Sequence, residues 1–176
     1  FLSGGRGGIT VSSQGVGGLT FDIETNPDKS VWMALSGRWG SGDAALDRYV
    51  HGAIGAHLFR SEGLIFGAML QADHGEHTDG LGRVESDGWL IGPYFVARFG
   101  DGDLRMSGSY LAGKTDIAVN PIGTYTDFVT SDRRLITFSL VDEIQMDQLL
   151  LRPRLDIAKV IEDRPGYTDG LGNPID

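Results

Sequence analysis

The sequence predicts an all-β fold, and within that class an antiparallel up-and-down transmembrane β-barrel. Three observations lead there. Apolar and polar residues alternate along several segments. Those segments are longer than the usual globular strand of about 5–6 residues, and match the ~9–11 residues that cross a bilayer at a tilt. Very short connections alternate with long polar ones, as they do between the two ends of an outer-membrane barrel.

Seven segments carry the pattern, each bounded by Gly, Asp, Asn or Ser clusters: Ser30–Trp39, Arg48–Ser61, Leu64–Asp73, Gly88–Phe99, Leu104–Ile117, Asp132–Met146 and Gln148–Glu162. Successive side chains of a strand point to opposite faces, so each segment splits into two sets. In the second, Val50, Gly52, Ile54, Ala56 and Leu58 oppose Tyr49, His51, Ala53, Gly55 and His57. In the fourth, Trp89, Ile91, Pro93, Phe95, Ala97 and Phe99 oppose Leu90, Gly92, Tyr94, Val96 and Arg98. In the fifth, Leu104, Met106, Gly108, Tyr110 and Ala112 oppose Arg105, Ser107, Ser109, Leu111 and Gly113. In the seventh, Leu149, Leu151, Pro153, Leu155 and Ile157 oppose Arg152, Arg154 and Asp156. One face is apolar throughout and the charges fall on the other. A helix, whose faces repeat every 3.6 residues, cannot produce this.

Such faces fit a soluble antiparallel sandwich or barrel as well as a membrane barrel with its polar side inward. Segment length favours the membrane. So does the placement of Trp32, Trp39, Tyr49, Phe59, Trp89 and Phe99 near segment ends, as in an interfacial girdle. The tight connections are Ser61–Gly63, Gly100–Asp103 and a third near Gln145–Gln148; His74–Asp87 and Asn120–Ser131 read as long external loops. Pro93 and Pro153 must then sit at bulges or local distortions, because proline cannot donate to a ladder.

Composition agrees. Glycine is 27 of 176 residues, roughly twice its ~7% average, and suits a fold of many turns and close backbone approaches. No apolar run approaches the ~18 residues of a transmembrane helix. The 24 acidic against 15 basic residues give −9, which disfavours a nucleic-acid partner. Cysteine is absent, removing thiol catalysis and disulfides. Residues 1–28 form a Gly-rich region with two β-prone pieces, Ile9–Ser12 and Leu19–Ile23, and read as a linker or the end of a preceding region that could supply a strand or two. Residues 29–176 read as the barrel.

Candidate chemistry is sparse. His51 and His57 share the polar face but lie ~20 Å apart along one strand, too far for one ion. Asp73-His74-Gly75-Glu76-His77-Thr78-Asp79 holds two histidines and three carboxylates, enough for adventitious divalent binding, or merely a soluble loop. The Asp-Gly pairs at 79, 87, 101 and 169 read as turns, and Gly4–Gly8 lacks the Lys-Ser/Thr of a phosphate cradle. No catalytic set, cofactor or metal site is assigned. Arg98, Arg105, Arg152 and Arg154, with Asp156, are the best candidates for function: they would line a lumen, setting its electrostatics or bracing it by internal salt bridges.

The local sequence also resembles the β-domain of autotransporters. Val31-Trp32-Met33-Ala34-Leu35-Ser36-Gly37 is similar to that domain's opening strand, and Gly88-Trp89-Leu90-Ile91-Gly92-Pro93-Tyr94-Phe95-Val96-Ala97-Arg98 to a later one. Gly123–Phe128, Arg133-Arg134-Leu135, Leu151-Arg152-Pro153 and Tyr167–Gly172 follow in the same order. The resemblance spans about residues 29–176. It implies a barrel of twelve strands, of which seven or eight are present here, and an anchor and translocator for an N-terminal passenger of the same chain. It also implies the outer membrane of a Gram-negative bacterium as location, with its lipid and its assembly machinery as partners, and no enzymatic activity. Two other readings stay open: a small outer-membrane barrel acting as an adhesin or porin-like protein, and a soluble β-sandwich.

Overall fold

A computed structural model describes residues 9–13, 18–24, 30–41, 45–100, 104–146, 149–169 and 172–175. Gly4–Gly8, most of the expected tight connection Gly100–Asp103 and part of that near Gln145–Gln148 lie outside them.

The fold is all-β, and no helix occurs among the described residues. The strands are β1 Ile9–Ser13, β2 Gly18–Glu24, β3 Val31–Ser41, β4 Ala45–Arg60, β5 Leu64–Asp79, β6 Gly82–Phe99, β7 Leu104–Asn120, β8 Asp127–Val141, β9 Ile144–Met146, β10 Leu149–Leu151, β11 Arg154–Asp163, β12 Tyr167–Thr168 and β13 Pro174–Ile175. Nine of them form one antiparallel sheet in the order β1-β2-β3-β4-β5-β6-β7-β8-β11, each strand beside its predecessor. This is the expected up-and-down topology. Nine strands replace the expected seven or eight, because both β-prone pieces of the first 28 residues join the sheet through Ile23↔Leu35 and its neighbours. Among the described residues β1 and β11 are the two edges, and no pairing joins them.

The connections depart from expectation in one respect. His74–Asp87 is not a loop: β5 and β6 run on to a two-residue turn at Gly80-Leu81, with Gly80 at φ 58°. Asn120–Ser131 shrinks similarly, to 121–126 between β7 and β8. The polar residues that looked like loop alternate instead on both sides of a ladder, Glu76 opposite Glu85 and His77 opposite Val84. Ladder bonds to neighbours on each side outweigh the weak turn signals of Gly75 and Asp87-Gly88. The third expected tight turn falls partly on residues outside the described ones, but its flanks pair, Met146 with Leu149. Ile144↔Leu151 continues the Val141↔Arg154 pairing without a shift, so β8–β9 and β10–β11 form one long antiparallel ladder that reaches Met146↔Leu149. Pro153 interrupts its ladder, yet its carbonyl still accepts from the Asp142 N–H at 3.0 Å. Pro93 behaves likewise: Ala68 lies opposite it on β5, while on the β7 side the printed ladder runs from Ile91↔Ala112 to Tyr94↔Ser109 around it.

The sheet curls strongly toward one face. Strands three apart in a flat sheet lie about 14 Å from each other. Yet Trp32 Nε1 of β3 donates to Tyr94 Oη of β6 at 2.7 Å, and Arg133 Nη1 of β8 reaches Asp73 Oδ1 of β5 at 3.3 Å. Both contacts lie on the same side, here the inner face. Glycine makes the closer approach possible. A Cβ on Gly55 would overlap the Trp32 indole, and one on Gly67 would overlap the Tyr94 ring and the Ala56 carbonyl. The two rings meet edge to face, 5.8 Å between centroids and 79° between planes. Trp32 and Tyr49 are therefore inner-face residues and not members of an outward girdle; being near a strand end did not decide their direction, parity did. We expect Gly67→Val to lower stability by about 1–3 kcal/mol or more through overpacking, read as a shifted denaturant midpoint in detergent. Ala68→Val, on the opposite face, should leave it within about 0.5 kcal/mol.

Candidate functional site

The two faces of the sheet differ in a way that reverses the order of a water-soluble domain. Of the buried side chains all but Ala97 belong to the inner face: Leu111 and Ser131 are fully covered, Leu90, Tyr94 and Thr115 nearly so. The large apolar side chains of the outer face are exposed, among them Ile54 at 49%, Ile91 at 53% and Ile157 at 54%.

On the outer face the strands from β3 to β8, and β11, each carry an unbroken apolar run whose upper limit is set here by the first polar or charged outward residue, where up is the direction of the Gly80-Leu81 turn. The last residue before the run is first interrupted is Trp39 on β3, Val50 on β4, Ala72 on β5, Trp89 on β6, Ala112 on β7, Ile136 on β8 and Ile157 on β11; Ala118, Phe128 and Ile161 face outward again further up β7, β8 and β11, beyond charged residues. The residues at the limit do not share a hydrogen-bonded row. Trp39 pairs with Arg48, and Arg48 with Glu76; Ile157 leads through Phe138, Gly108 and Phe95 to Phe66. Projected onto β5, the limit thus descends from Glu76 to Phe66, ten residues in the six steps from β3 to β11. At ~3.3 Å per residue and ~4.8 Å per strand, strands tilted by about 45–50° would bring that limit level.

The β9–β10 extension follows the same slope. Beyond the last row of β7, this pairing places Ile144, Met146, Leu149 and Leu151 on the outer side, where a level band must reach further along β8 and β11. Asp142 shares that parity, but its carboxylate turns back to accept from the Glu143 N–H at 2.8 Å.

The inner face gathers polar groups. Asp73 and Arg133 form its best-buried ion pair, with side chains 10% and 26% exposed. Gly88 leaves room for the carboxylate, since a Cβ there would sit 2.8 Å from Asp73 Oδ1. Ser109 and Thr137 hydroxyls meet at 2.6 Å, and Ser131 Oγ donates to Glu162 Oε1 at 2.8 Å. The five residues singled out from sequence are placed as follows. Arg98 and Arg105 face each other across β6 and β7 on the inner face. Arg154 pairs with Asp156 on the same strand, and Arg152 with Glu143 across the long ladder at 3.1 Å; all four are exposed. The structure thus splits the set into two neighbouring groups at the lower end, and adds Asp73–Arg133 as the pair sequence reasoning missed. Parity could have put both on one face, but sixty residues separate them and nothing local marks the partnership.

His51 lies on the inner face opposite Asp73, and the His57 ring sits 6.1 Å from Tyr94. The Asp73–Asp79 run does not converge. Its alternate members point to opposite faces, so Asp73 and His77 part from His74 and Glu76. His74 instead meets Glu85 and Asp87 of β6, ligand atoms within 4.8 Å, and bonds Asp87 through Nδ1 at 2.8 Å.

Comparison with protein families, curated proteins and solved structures gives no match for this chain. Its geometry stands alone as evidence. Asp73→Ala is expected to cost about 1–3 kcal/mol by leaving Arg133 partly buried without its carboxylate. The Asp73→Ala/Arg133→Ala double variant should lose less than the sum of the two singles, as a double-mutant cycle on the denaturant midpoint would read.

Proposed function

We propose that the chain is the strand-built part of an outer-membrane β-barrel of a Gram-negative bacterium, anchoring and translocating an N-terminal passenger in the manner of an autotransporter β-domain. The observation that carries the membrane half is the outward apolar run with its stepped upper limit. A sheet whose large apolar side chains face outward needs something other than water against them. The slope of the limit matches the ~45° tilt of strands that cross a bilayer. Runs of about ten residues at that tilt give a band close to the ~25 Å of outer-membrane barrels.

The inner face suits the same reading. It is glycine-gapped, polar and ion-paired, as the interior of a narrow barrel is. Trp39 and Trp89 end the apolar runs of β3 and β6, where an interfacial ring prefers to sit. The translocator half rests on the ordered resemblance of Val31–Gly37, Gly88–Arg98 and the later motifs to autotransporter β-domains. In this reading the partners are outer-membrane lipid, the passenger of the same chain and the assembly machinery, and no catalytic step is assigned.

Detergent phase partition and migration on a gel with and without boiling test the membrane half. The chain should enter the detergent phase and change mobility on heating; recovery in the aqueous phase without detergent would sink the proposal. Ile54→Arg, in the middle of the outward run of β4, should destabilise the inserted form by about 2–4 kcal/mol. Ser107→Arg on the inner face should be tolerated far better. Equal effects of the two substitutions would contradict the assignment of faces.

A further inference from the structure

The residue two places above the apolar limit, the next to face outward, is basic on four of the six strands where it is described. These residues are Arg48 on β4, Lys114 on β7, Arg134 on β8 and Lys159 on β11. On β5 and β6 the corresponding residues are His74 and Asp87, which bond each other. The cations follow the same staircase as the limit itself. Arg48 pairs with Glu76, and Lys159 lies opposite Ile136, one step below Arg134 on the same face. A level plane at the proposed tilt therefore passes through all four.

All four side chains are exposed, and the carboxylates nearest them hold them loosely: Arg48–Glu76 at 3.7 Å, Lys114–Asp132 at 4.0 Å and Arg134–Asp163 at 3.8 Å. Exposed pairs of that length contribute little and leave most donors of each cation open. The acids Glu76, Glu85, Asp116 and Asp132 lie one outward-facing position further up their strands, away from the apolar run. On β4, β7, β8 and β11 a basic group thus sits directly at the apolar boundary, while on β6 the position is taken by Asp87, bonded to His74.

We infer that Arg48, Lys114, Arg134 and Lys159 form a belt that binds the anionic phosphate headgroups of the lipid leaflet at the upper end of the band. The inference rests on the membrane reading above. The chemistry is that of cations held at the depth where phosphate replaces acyl chain: their stems cover apolar surface while ammonium and guanidinium groups reach the headgroups. Guanidinium adds paired donors to phosphate oxygens, ammonium a point charge. Each basic residue near an anionic surface is worth about 1 kcal/mol, roughly a five-fold gain in binding. Partial engagement by the acids above reduces this, so a gain on the order of ten-fold is expected for the belt.

The test is flotation of the full chain, diluted from detergent, with phosphatidylcholine vesicles and with mixed phosphatidylcholine–phosphatidylglycerol vesicles. The expected result is association with both and a preference of about ten-fold for the mixed vesicles. That preference should vanish in the Arg48→Gln/Lys114→Gln/Arg134→Gln/Lys159→Gln variant and shrink with added salt. Wild-type association without preference would overturn the belt and leave the membrane reading standing. Association with neither vesicle would overturn both. If the fourfold variant does not fold, Lys114→Gln and Lys159→Gln singly should each reduce the preference. A preference that survives these substitutions, or that is insensitive to salt, overturns the inference.

Discussion

From β3 to β8 and on to β11, every strand is hydrogen-bonded to its sequence neighbour, and the alternation of side chains passes through that register with only local disturbance. Everything else depends on this continuity. A shift of one residue in any pairing would transfer a whole strand's apolar set to the other face. The irregularity between His57 and Phe59 is confined to the lower end of β4, and above it His57↔Gly67 and Ile54↔Leu70 keep the faces aligned. The ladder thus holds two chemically distinct surfaces apart with almost no core between layers. The molecule has one layer, and its stability must come from the inner contacts and from whatever meets the outer face.

The inner contacts are few and specific. Trp32 crosses Gly55 to reach Tyr94, and Asp73 crosses the strands beside Gly88 to reach Arg133. In each case a glycine lies beneath a longer side chain, and the bond formed spans three strand intervals. Such bonds select one curvature of the sheet over flatter ones, since the partners separate as the sheet opens. Polar groups are tolerated there largely because they pair: Ser109 bonds Thr137 and Ser131 bonds Glu162, while the buried Thr115 hydroxyl is left without a partner.

Much of this was legible in the residues, for a physical reason. Period two is a local property, so the split of β4, β6, β7 and the last ladder into opposite faces needs no knowledge of partners. Trp32 reads as a girdle residue from its place near a segment end, although its position between Val31 and Met33, both on the outer face, sets it inward. The length of β5 and β6 was not legible. Gly75, His77 and Asp87-Gly88 carry turn chemistry, and only the ladders on either side, which are non-local, hold that stretch extended. The Asp73–Arg133 pair was equally hidden, because its geometry arises from the curl of four strands. The slope of the apolar limit lies between these cases. Its residues are visible in the sequence, but the slope exists only once the register is known.

That slope also fixes how much of a perimeter the strands occupy. A strand inclined by about 45–50° takes roughly 7 Å of horizontal arc where an upright one would take 4.8 Å. The nine strands of the sheet would then cover an arc of about 60–65 Å. Were that arc closed into a circle, inward side chains would fill much of the space it encloses. The inclination of the strands, and not their number alone, would therefore set the calibre of any pore they enclose.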